Sequence, residues 1–261
     1  MIGNSTETVG LLGTGSGGGA SHSVIRNSIL ATNYGGFAGG GASASSLVNC
    51  TIFKNFAVIG GGAANSTLLH CTVVNNAVST SPPHGAGVVS CVVTNSILYY
   101  NLGIGSPDFP SNFIDSHLRS SCTTPRATGA GNTTNPPLFI DLAGHDFRPQ
   151  AGSPCIDAGA TLSGIISNDL AGLPRPLDGN RDGTGAFDIG AYEFNPLFLT
   201  SISKMATNLQ ICWFDNVPGM KLHARPSITS GSWNEIALPS NTNCIQLLMT
   251  TSDAFFRLSM P

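Results

Sequence analysis

Hydrophobic and polar residues follow one another in the same order four times between residues 17 and 101. Each unit begins with a glycine cluster, continues into a short β-branched run, and closes at an Asn. The unit lengths are 22, 21 and 25 residues, counted between the residues that open the runs, which are Asn27, Asn49, His70 and Asn95. A fixed period near 22 with short strand-like runs and glycine turns predicts a solenoid of strands.

Each unit has room for three short strands and three turns at roughly 3.3 Å per strand residue. The sequence therefore predicts a parallel β-helix with one coil per unit, in which equal positions stack at about 4.8 Å. We expect an inward column of small residues, formed by Ser28, Cys50, Cys71 and Ser96. Asn side chains that hydrogen-bond along the stack and tolerate left-handed corners are expected to form two columns: Asn27, Asn49 and Asn95, and Asn33, Asn55, Asn76 and Asn101.

The whole chain is predicted to be all-β, a parallel β-helix followed by a small antiparallel β-sandwich-like domain. The β-helix takes residues 1–137, with coils at 17–38, 39–59, 60–84 and 85–101 and irregular coils at 102–137. A loop-rich cap at 138–196 is expected to cover one end of the solenoid. Five strand-like runs at 197–261 form the second domain, and Cys212 and Cys244 on two of them are candidates for a disulfide.

Charge is sparse and unevenly placed. Charged residues are 10% of the 261 residues and the net charge is −3, so we expect neither a nucleic-acid partner nor an anionic membrane surface. No run of eighteen apolar residues predicts a membrane span. Residues 1–20 lack the basic start and apolar core of a signal peptide, which leaves a removed signal or an upstream segment as alternatives. Ten of the fourteen acids lie between Asp108 and Glu193, so ionic chemistry is expected in the cap.

One motif in the cap has the spacing of a cation site. Asp178, Asn180 and Asp182 occupy positions 1, 3 and 5 of a D-x-N-x-D-G run, the first half of a calcium loop, and Asp188 or Glu193 is expected to complete the shell. An EF-hand would have Glu where Ile189 stands, so this would be a loop of another type. The alternative is a loop of Asx turns that pairs with Arg175 or Arg181.

No catalytic or organic-cofactor-binding residue is assigned. His145 lies between Asp141 and Asp146, but a tight turn with an Asp146–Arg148 contact explains that run. The irregular coils supply an unpatterned set, Asp108, Asp115, Arg119 and Arg126. Candidates for stacking on sugar rings are Tyr34, Phe37, Phe53, Phe56, Tyr99 and Tyr100.

Four runs carry a family resemblance: 135–141 (Asn-Pro-Pro-Leu-Phe-Ile-Asp), 146–159 (with Ser-Pro-Cys-Ile-Asp-Ala-Gly), 169–176 and 188–194 (Asp-Ile-Gly-Ala-Tyr-Glu-Phe). They resemble the tail of the bacterial surface proteins called choice-of-anchor Q, and residues 197–261 resemble a module of secreted proteins from Verrucomicrobia-like bacteria. The resemblance implies a right-handed, pectate-lyase-like parallel β-helix that is extracellular or on the cell surface. That fold hosts lyases, hydrolases and adhesins alike, so it does not fix an activity.

The sequence is compatible with two functions. The first is a non-catalytic extracellular or surface β-helix protein for adhesion, surface coating or filament assembly, with end-to-end self-assembly or other surface proteins as its partners. The alternative is a polysaccharide lyase, another carbohydrate-active protein, or a carbohydrate-binding fragment of one. Calcium at 178–193 is compatible with both.

Overall fold

The computed structural model describes residues 5–6, 15–79, 85–103, 106–110, 112–162, 166–195, 199–205, 208–213, 221–225, 231–238, 244–248 and 255–259. The Ser79–His84 insertion therefore lies mostly outside the described residues. The strands are β1 (Ser5–Thr6), β2 (Ala20–Ser21), β3 (Val24–Ala31), β4 (Tyr34–Gly35), β5 (Ala42–Ser43), β6 (Ser46–Phe53), β7 (Phe56–Ala57), β8 (Ala63–Ala64), β9 (Thr67–Leu69), β10 (Thr72–Val74), β11 (Ala77–Val78), β12 (Val88–Val89), β13 (Val92–Thr94), β14 (Ile97–Tyr99), β15 (Leu102–Gly103), β16 (Ser106–Pro110), β17 (Phe113–Ile114), β18 (His117–Arg119), β19 (Cys122–Thr123), β20 (Phe139–Asp141), β21 (Asp146–Pro149), β22 (Leu199–Met205), β23 (Asn208–Trp213), β24 (Lys221–Arg225), β25 (Asn234–Ile236), β26 (Cys244–Leu248) and β27 (Phe255–Ser259).

Strands of successive units pair in parallel, one coil apart. Three parallel stacks result: β2–β5–β8–β12–β17, β1–β4–β7–β11–β15, and a third that contains β3 and β6. The first half of β6 pairs with β9 and its second half with β10, and the two branches continue through β13 and β14 to β18 and β19. The predicted all-β fold with a parallel β-helix is confirmed.

The corners of each coil repeat a left-handed backbone. Asn27, Asn49, His70 and Asn95 have φ of 47°, 59°, 49° and 48°, a conformation that Asn tolerates better than most residues. In the second column the left-handed residue is the one before the Asn, as at Asn75. A glycine is required at Gly39, where φ is +70° and a Cβ atom would lie 2.2 Å from the Ala42 carbonyl oxygen.

The second Asn column forms a continuous buried ladder. Oδ1 of Asn76 accepts hydrogen bonds from the backbone N and from Nδ2 of Asn55, both at 2.9 Å. Nδ2 of Asn76 donates to Oδ1 of Asn101 at 2.9 Å. Asn33 begins the ladder and Asn112 extends it beyond the residues that the repeat predicts. Each side chain therefore satisfies backbone groups of the corner while it links two coils.

Apolar side chains fill the inside of the coils. The interior cluster includes Leu30, Leu47, Ile52, Leu68, Val73, Val93, Leu98 and Leu118, with Cys50, Cys71 and Cys91 among them. Cys50 and Cys71 are buried free thiols on neighbouring coils. The small side chains of Cys50 and Cys71 share this core with Ile52 and Val73, whereas Ile29 is exposed and Ile97 belongs to the cluster beneath the cap.

The cap packs along the side wall of the coils. Its strands β20 and β21 are antiparallel, and its apolar residues meet the outward-facing Val74, Ile97 and Tyr99. The Ala191 N–H donates to Thr72 Oγ1 at 3.0 Å, and the Gly190 N–H donates to the Asn95 carbonyl at 2.9 Å. We expected the cap to cover an end of the solenoid. It lies on the side because these outward apolar residues would otherwise face water.

Contacts divide the chain into residues 1–194 and 195–261. The second unit contains two antiparallel sheets, β22–β23–β26 and β25–β24–β27. Ile211 of the first sheet and Leu222 of the second are fully buried in one cluster, which gives the sandwich-like packing. Cys212 and Cys244 form the expected disulfide between β23 and β26. Within the described residues, no helix has the length and hydropathy of a membrane span.

Candidate functional site

The five candidate calcium ligands fall into two groups. The first is the loop with Asp178, Asn180 and Asp182, of which the last two are exposed. Oδ1 of Asn180 accepts a hydrogen bond from the Asp182 N–H at 2.9 Å, and Oδ2 of Asp178 accepts one from the Gly183 N–H at 3.0 Å. Oδ1 of Asp182 accepts one from the Thr184 N–H at 2.9 Å. These are the bonds of a loop built from Asx turns.

The second group is buried beneath that loop. Glu193 forms an ion pair with Arg175, with 2.8 Å between Oε1 and Nε, and both side chains are 0% exposed. Glu193 also accepts hydrogen bonds from the Asp188 N–H at 3.0 Å and the Leu177 N–H at 3.1 Å. The remaining guanidinium nitrogens of Arg175 donate to the Gly190 carbonyl at 3.2 and 3.1 Å. The guanidinium therefore links Glu193 to Gly190, whose N–H donates to the Asn95 carbonyl of the coils.

Three further acids hold loop backbone in the same way. Asp188 accepts hydrogen bonds from the N–H groups of Asp157, at 2.7 Å, and Phe194. Asp157 in turn accepts from the Asn180 N–H at 2.6 Å, and Asp169 accepts from the Glu193 N–H at 2.9 Å. The acids of the cap thus replace the regular sheet bonding that its loops lack.

Burial shifts the protonation of this cluster. Burial and then the Glu193 charge raise the pKa of Asp188 to about 8, against two backbone N–H groups that lower it. Burial also raises the pKa of Glu193, although Arg175 opposes the shift, and burial lowers the pKa of Arg175. Two neighbouring acids that share one cation therefore retain a proton more readily than they would in water.

The first Asn column connects the coils to the cap. Asn49 Nδ2 donates to Asn27 Oδ1 at 2.9 Å and to the Asn168 carbonyl at 2.8 Å. Asn95 exchanges two hydrogen bonds with Ala160, at 2.9 and 2.8 Å. His70 is fully buried between them and packs on Phe187, with 5.2 Å between ring centroids. Burial and then Arg175 lower the pKa of His70 to about 3, so this ring is neutral.

The expected shell of five oxygen ligands is not brought together. No group of three or more His, Cys, Asp or Glu in the described part of the chain is arranged to hold a metal ion, and Arg175 already lies against Glu193. The loop oxygens of Asp178, Asn180 and Asp182 each keep a lone pair for a cation. Calcium at these three residues therefore stays a prediction, without Asp188 and Glu193 as ligands.

The other candidate groups are explained by local contacts or stay scattered. Arg148 Nε donates to Asp146 Oδ1 at 2.8 Å, and this contact lowers the pKa of Asp146. His145 packs on the Phe53 ring at 5.0 Å. Asp115, Arg119 and Arg126 are exposed, and the side chain of Asp108 lies outside the described residues.

Aromatic residues divide between the surface and the cap. Tyr34 and Phe37 are 43% and 46% exposed, and Tyr34 stacks on Phe56 of the next coil with 5.3 Å between centroids. Phe53, Tyr99 and Tyr100 instead belong to the cluster beneath the cap. Of the six candidates for sugar stacking, Tyr34 and Phe37 are therefore exposed, and Phe56 is half-buried.

Sequence reasoning missed Asp157, Asp169 and the surroundings of Cys155. Cys122, on the last coil, and Cys155, in the cap, are fully buried free thiols of one apolar cluster. Asp157 and Asp169 lie in two of the runs that carry the family resemblance. Their position in these runs is the feature of the sequence that could have identified them, since neither residue follows the repeat period.

No protein-family model matches the chain, and no curated protein matches it. Among solved structures, the chain is similar to the crystal structure of the pectate lyase Pel9A. The identity is 13%, the TM-score is 0.27, and 69% of each chain is covered. At this level of similarity the activity of the lyase is not transferred, and the fold conclusion rests on the coil register described above.

Proposed function

We propose that the chain is a non-catalytic extracellular or surface β-helix protein that serves adhesion, surface coating or filament assembly, of the choice-of-anchor Q type. The observation that carries this proposal is how the cap uses its acids. Asp157, Asp169, Asp188 and Glu193 accept backbone N–H groups, and Glu193 pairs with Arg175. This ionic cluster thus holds the loops of the cap together, and Arg175 links it to Gly190, whose N–H donates to the Asn95 carbonyl of the coils.

Two features support an extracellular setting and a holding role. The Cys212–Cys244 disulfide is typical of proteins that mature in an oxidising compartment. The buried Asn ladder links each coil to the next through side chains as well as strands. Such a rod resists local opening, which suits a protein that bears load.

The alternative is a carbohydrate-active protein, and the exposed aromatic residues favour it. The Tyr34–Phe56 stack and Phe37 offer apolar ring surface of the kind that packs on sugars. A lyase would also need a basic group beside acids, and Arg148 with Asp146 is a partly exposed pair of that kind. Binding without cleavage would fit both proposals.

The test is product formation from uronic-acid polymers, followed by the ultraviolet absorbance of the unsaturated product, with and without chelator. We expect no product above that of an Arg148→Gln/Asp146→Asn double variant, which controls for a contaminating lyase. Product that the double variant fails to make would establish the lyase and end the non-catalytic proposal.

We further propose that calcium binds the loop of Asp178, Asn180 and Asp182 and stabilises the cap. Calcium at a hundred times its Kd would add about 2.7 kcal/mol to the free energy of unfolding. The melting temperature should rise with calcium and fall with chelator, and Asp182→Asn should remove most of the difference. Asp141→Asn, in an exposed turn of the same cap, is the matched control. A melting temperature that chelator leaves unchanged would remove calcium from the proposal.

A further inference from the structure

One outer face of the coils carries a row of apolar side chains. The row consists of register partners on four successive coils, which are Tyr34 of β4, Phe56 of β7, Ala77 of β11 and Leu102 of β15. The residue that follows each of them in its strand is buried, namely Gly35, Ala57, Val78 and Gly103. Because successive residues of a strand point to opposite faces of the sheet, the row faces away from the interior of the coils. We call Tyr34, Phe56, Ala77 and Leu102 the apolar stripe.

The apolar stripe is accessible but small. Tyr34 and Leu102 are 43% and 41% exposed, and Phe56 and Ala77 are half-buried. Phe56 stacks on the Tyr34 ring with 5.3 Å between centroids, and the rest of that ring stays accessible. An aromatic side chain buries about 150–250 Å² when it is fully covered, so the stripe offers on the order of 200 Å². A standard protein interface buries about 800 Å² on each partner, which disfavours a second copy of this chain as the occupant.

No acid accompanies the apolar stripe, and bases are scarce around it. Residues 9–106 contain no Asp or Glu, and their basic residues are Arg26 and Lys54. Arg26 belongs to β3, in a different stack, and Lys54 stands at the corner before β7. An acidic polymer would therefore lay most of its charges on an apolar surface that offers them no partners, which costs free energy. The charge of the surface favours an uncharged ligand.

The shape of the apolar stripe favours an extended polymer. Paired strands lie about 4.8 Å apart, so four register partners form a nearly straight line about 14 Å long. A β-1,4-linked glucan is a flat, extended ribbon whose sugar rings expose C–H groups on both faces. Those faces can pack on Tyr34 and Leu102 while the sugar hydroxyl groups stay in water. An α-1,4-linked glucan curves into a helix and follows such a line poorly.

We propose that the apolar stripe binds an extended, uncharged polysaccharide of the β-1,4-glucan type, with sugar rings packed along Tyr34, Phe56 and Leu102. The proposal rests on the proposed function, because it names the kind of surface to which the extracellular protein adheres. The rigid coils hold the side chains in line before the ligand arrives, which lowers the entropy cost of binding.

The experiment measures depletion of the full chain from solution by amorphous cellulose, with starch granules and polygalacturonate as comparison polymers. We expect cellulose to bind the chain equally at low and high salt, because the contact contains no ion pair, and the comparison polymers to bind at least about tenfold more weakly. Tyr34→Phe should keep the affinity for cellulose, whereas Tyr34→Ala and Leu102→Ala should each lower it, the former about tenfold. Leu138→Ala, at a residue of the cap with 43% exposure, is the matched control. If Tyr34→Ala does not fold, Leu102→Ala decides the test.

Four results would overturn the proposal. They are no binding to cellulose, equal affinity for a comparison polymer, binding that high salt abolishes, and an equal loss of affinity in the Leu138→Ala variant. The lyase assay reads product, whereas this assay reads depletion, so the two proposals fail separately. Absence of binding would leave a non-catalytic role in coating or filament assembly in place. Product from uronic-acid polymers would end the non-catalytic proposal, and cellulose binding that depends on Tyr34 would still support the stripe.

Discussion

Arg175 and Glu193 form an ion pair without exposed surface, at the point where the cap meets the coils. Removing the cation would leave Glu193 buried and uncompensated, which costs about 3–5 kcal/mol. We therefore expect Arg175→Met to lower the free energy of unfolding by that amount in urea titrations.

The pH dependence of that loss is part of the prediction. Burial already raises the pKa of Glu193, and without Arg175 it would rise further. A folded-state pKa above the unfolded value means that stability falls as pH rises, so the loss should be larger at pH 8 than at pH 5. The Arg175→Met/Glu193→Gln double variant should recover part of it. A double variant less stable than either single variant would contradict this account.

His70 is the titrating exception in a column of Asn residues. Its pKa is about 3 in the folded state, against 6.5 for the free side chain. The folded state therefore binds fewer protons, and stability is lost as pH falls from 6.5 towards 3, by about 1.4 kcal/mol for each pH unit.

His70→Asn should remove this loss of unfolding free energy at acid pH, whatever the change in packing costs at neutral pH. The measurement is the difference in unfolding free energy between the variant and the native chain at pH 7 and at pH 4.5. Asn75→Gly, at a half-buried corner residue without a titratable group, offers a control and should leave that difference constant. If the unfolding free energy of the His70→Asn variant depended on pH as that of the native chain does, the His70 ring would not be the neutral buried group described here.

Single residues of the cap were the hardest part to predict. The acids were recognised as a cluster, but their spacing suggested a cation shell, whereas Asp188 and Glu193 bind backbone N–H groups and Arg175. Arg175 and Glu193 are brought together by loops that follow no period. The sequence offered the Asx-turn alternative with Arg175 as a partner, and the loop of Asp178 to Thr184 has those bonds.

The Asn ladder is the element on which the coils depend most directly. Asn76 accepts two hydrogen bonds from Asn55 and donates to Asn101 and to the Ile52 carbonyl. Asn76→Ala would leave several buried groups without partners, each at about 1–3 kcal/mol. We expect a loss of at least about 3 kcal/mol, or no folded protein, by thermal and urea unfolding.

The neighbouring Asn75 supplies a matched control. It is half-buried and has φ of +55°, so Asn75→Gly keeps a suitable backbone and should be close to neutral. Similar losses at positions 75 and 76 would mean that the ladder does not carry the stability of the corner.

The ladder and the coils were predictable because they repeat. Asn33, Asn55, Asn76 and Asn101 follow the period, and the structure stacks them. Asn112 was missed because it follows Asn101 by only 11 residues in the sequence and still continues the ladder. The hairpin of β15 and β16 separates the two. Because this connection is irregular, the spacing in the sequence does not show that Asn112 stacks on Asn101 in the folded chain.

The position of the cap was not predictable at the scale of the molecule. Apolar residues on the outside of a coil, such as Val74 and Ile97, look like core residues in the sequence because strands in a solenoid alternate faces. Only the folded cap shows that they form a second core beneath Phe147 and Ile189. Similarly, β22 was not predicted, although five other strands of the second unit were.

The whole molecule is predicted to self-assemble through its N-terminal coil. Among the described strands, β3 pairs only with β6, and Val24 of β3 is 72% exposed. A strand edge of this length is a template for another chain. We expect the mass by light scattering to rise with concentration, and Val24→Lys to suppress the rise.

A monomer at high concentration, or an equal rise in the Val24→Lys variant, would contradict assembly through β3. Leu138→Lys, at another exposed apolar residue, is the matched control and should assemble as the native chain does.

The Asn ladder also bears on how such rods change length. Each Asn of the ladder accepts a hydrogen bond from the Asn of the preceding coil and donates one to the Asn of the following coil. A duplicated unit would therefore form the same hydrogen bonds with the coils on both sides. Duplication of one repeat in the gene can then lengthen the β-helix by one coil, without a new type of contact between coils. A chain that carries residues 17–38 twice should fold and melt at no lower a temperature than the original, which makes this history open to reconstruction.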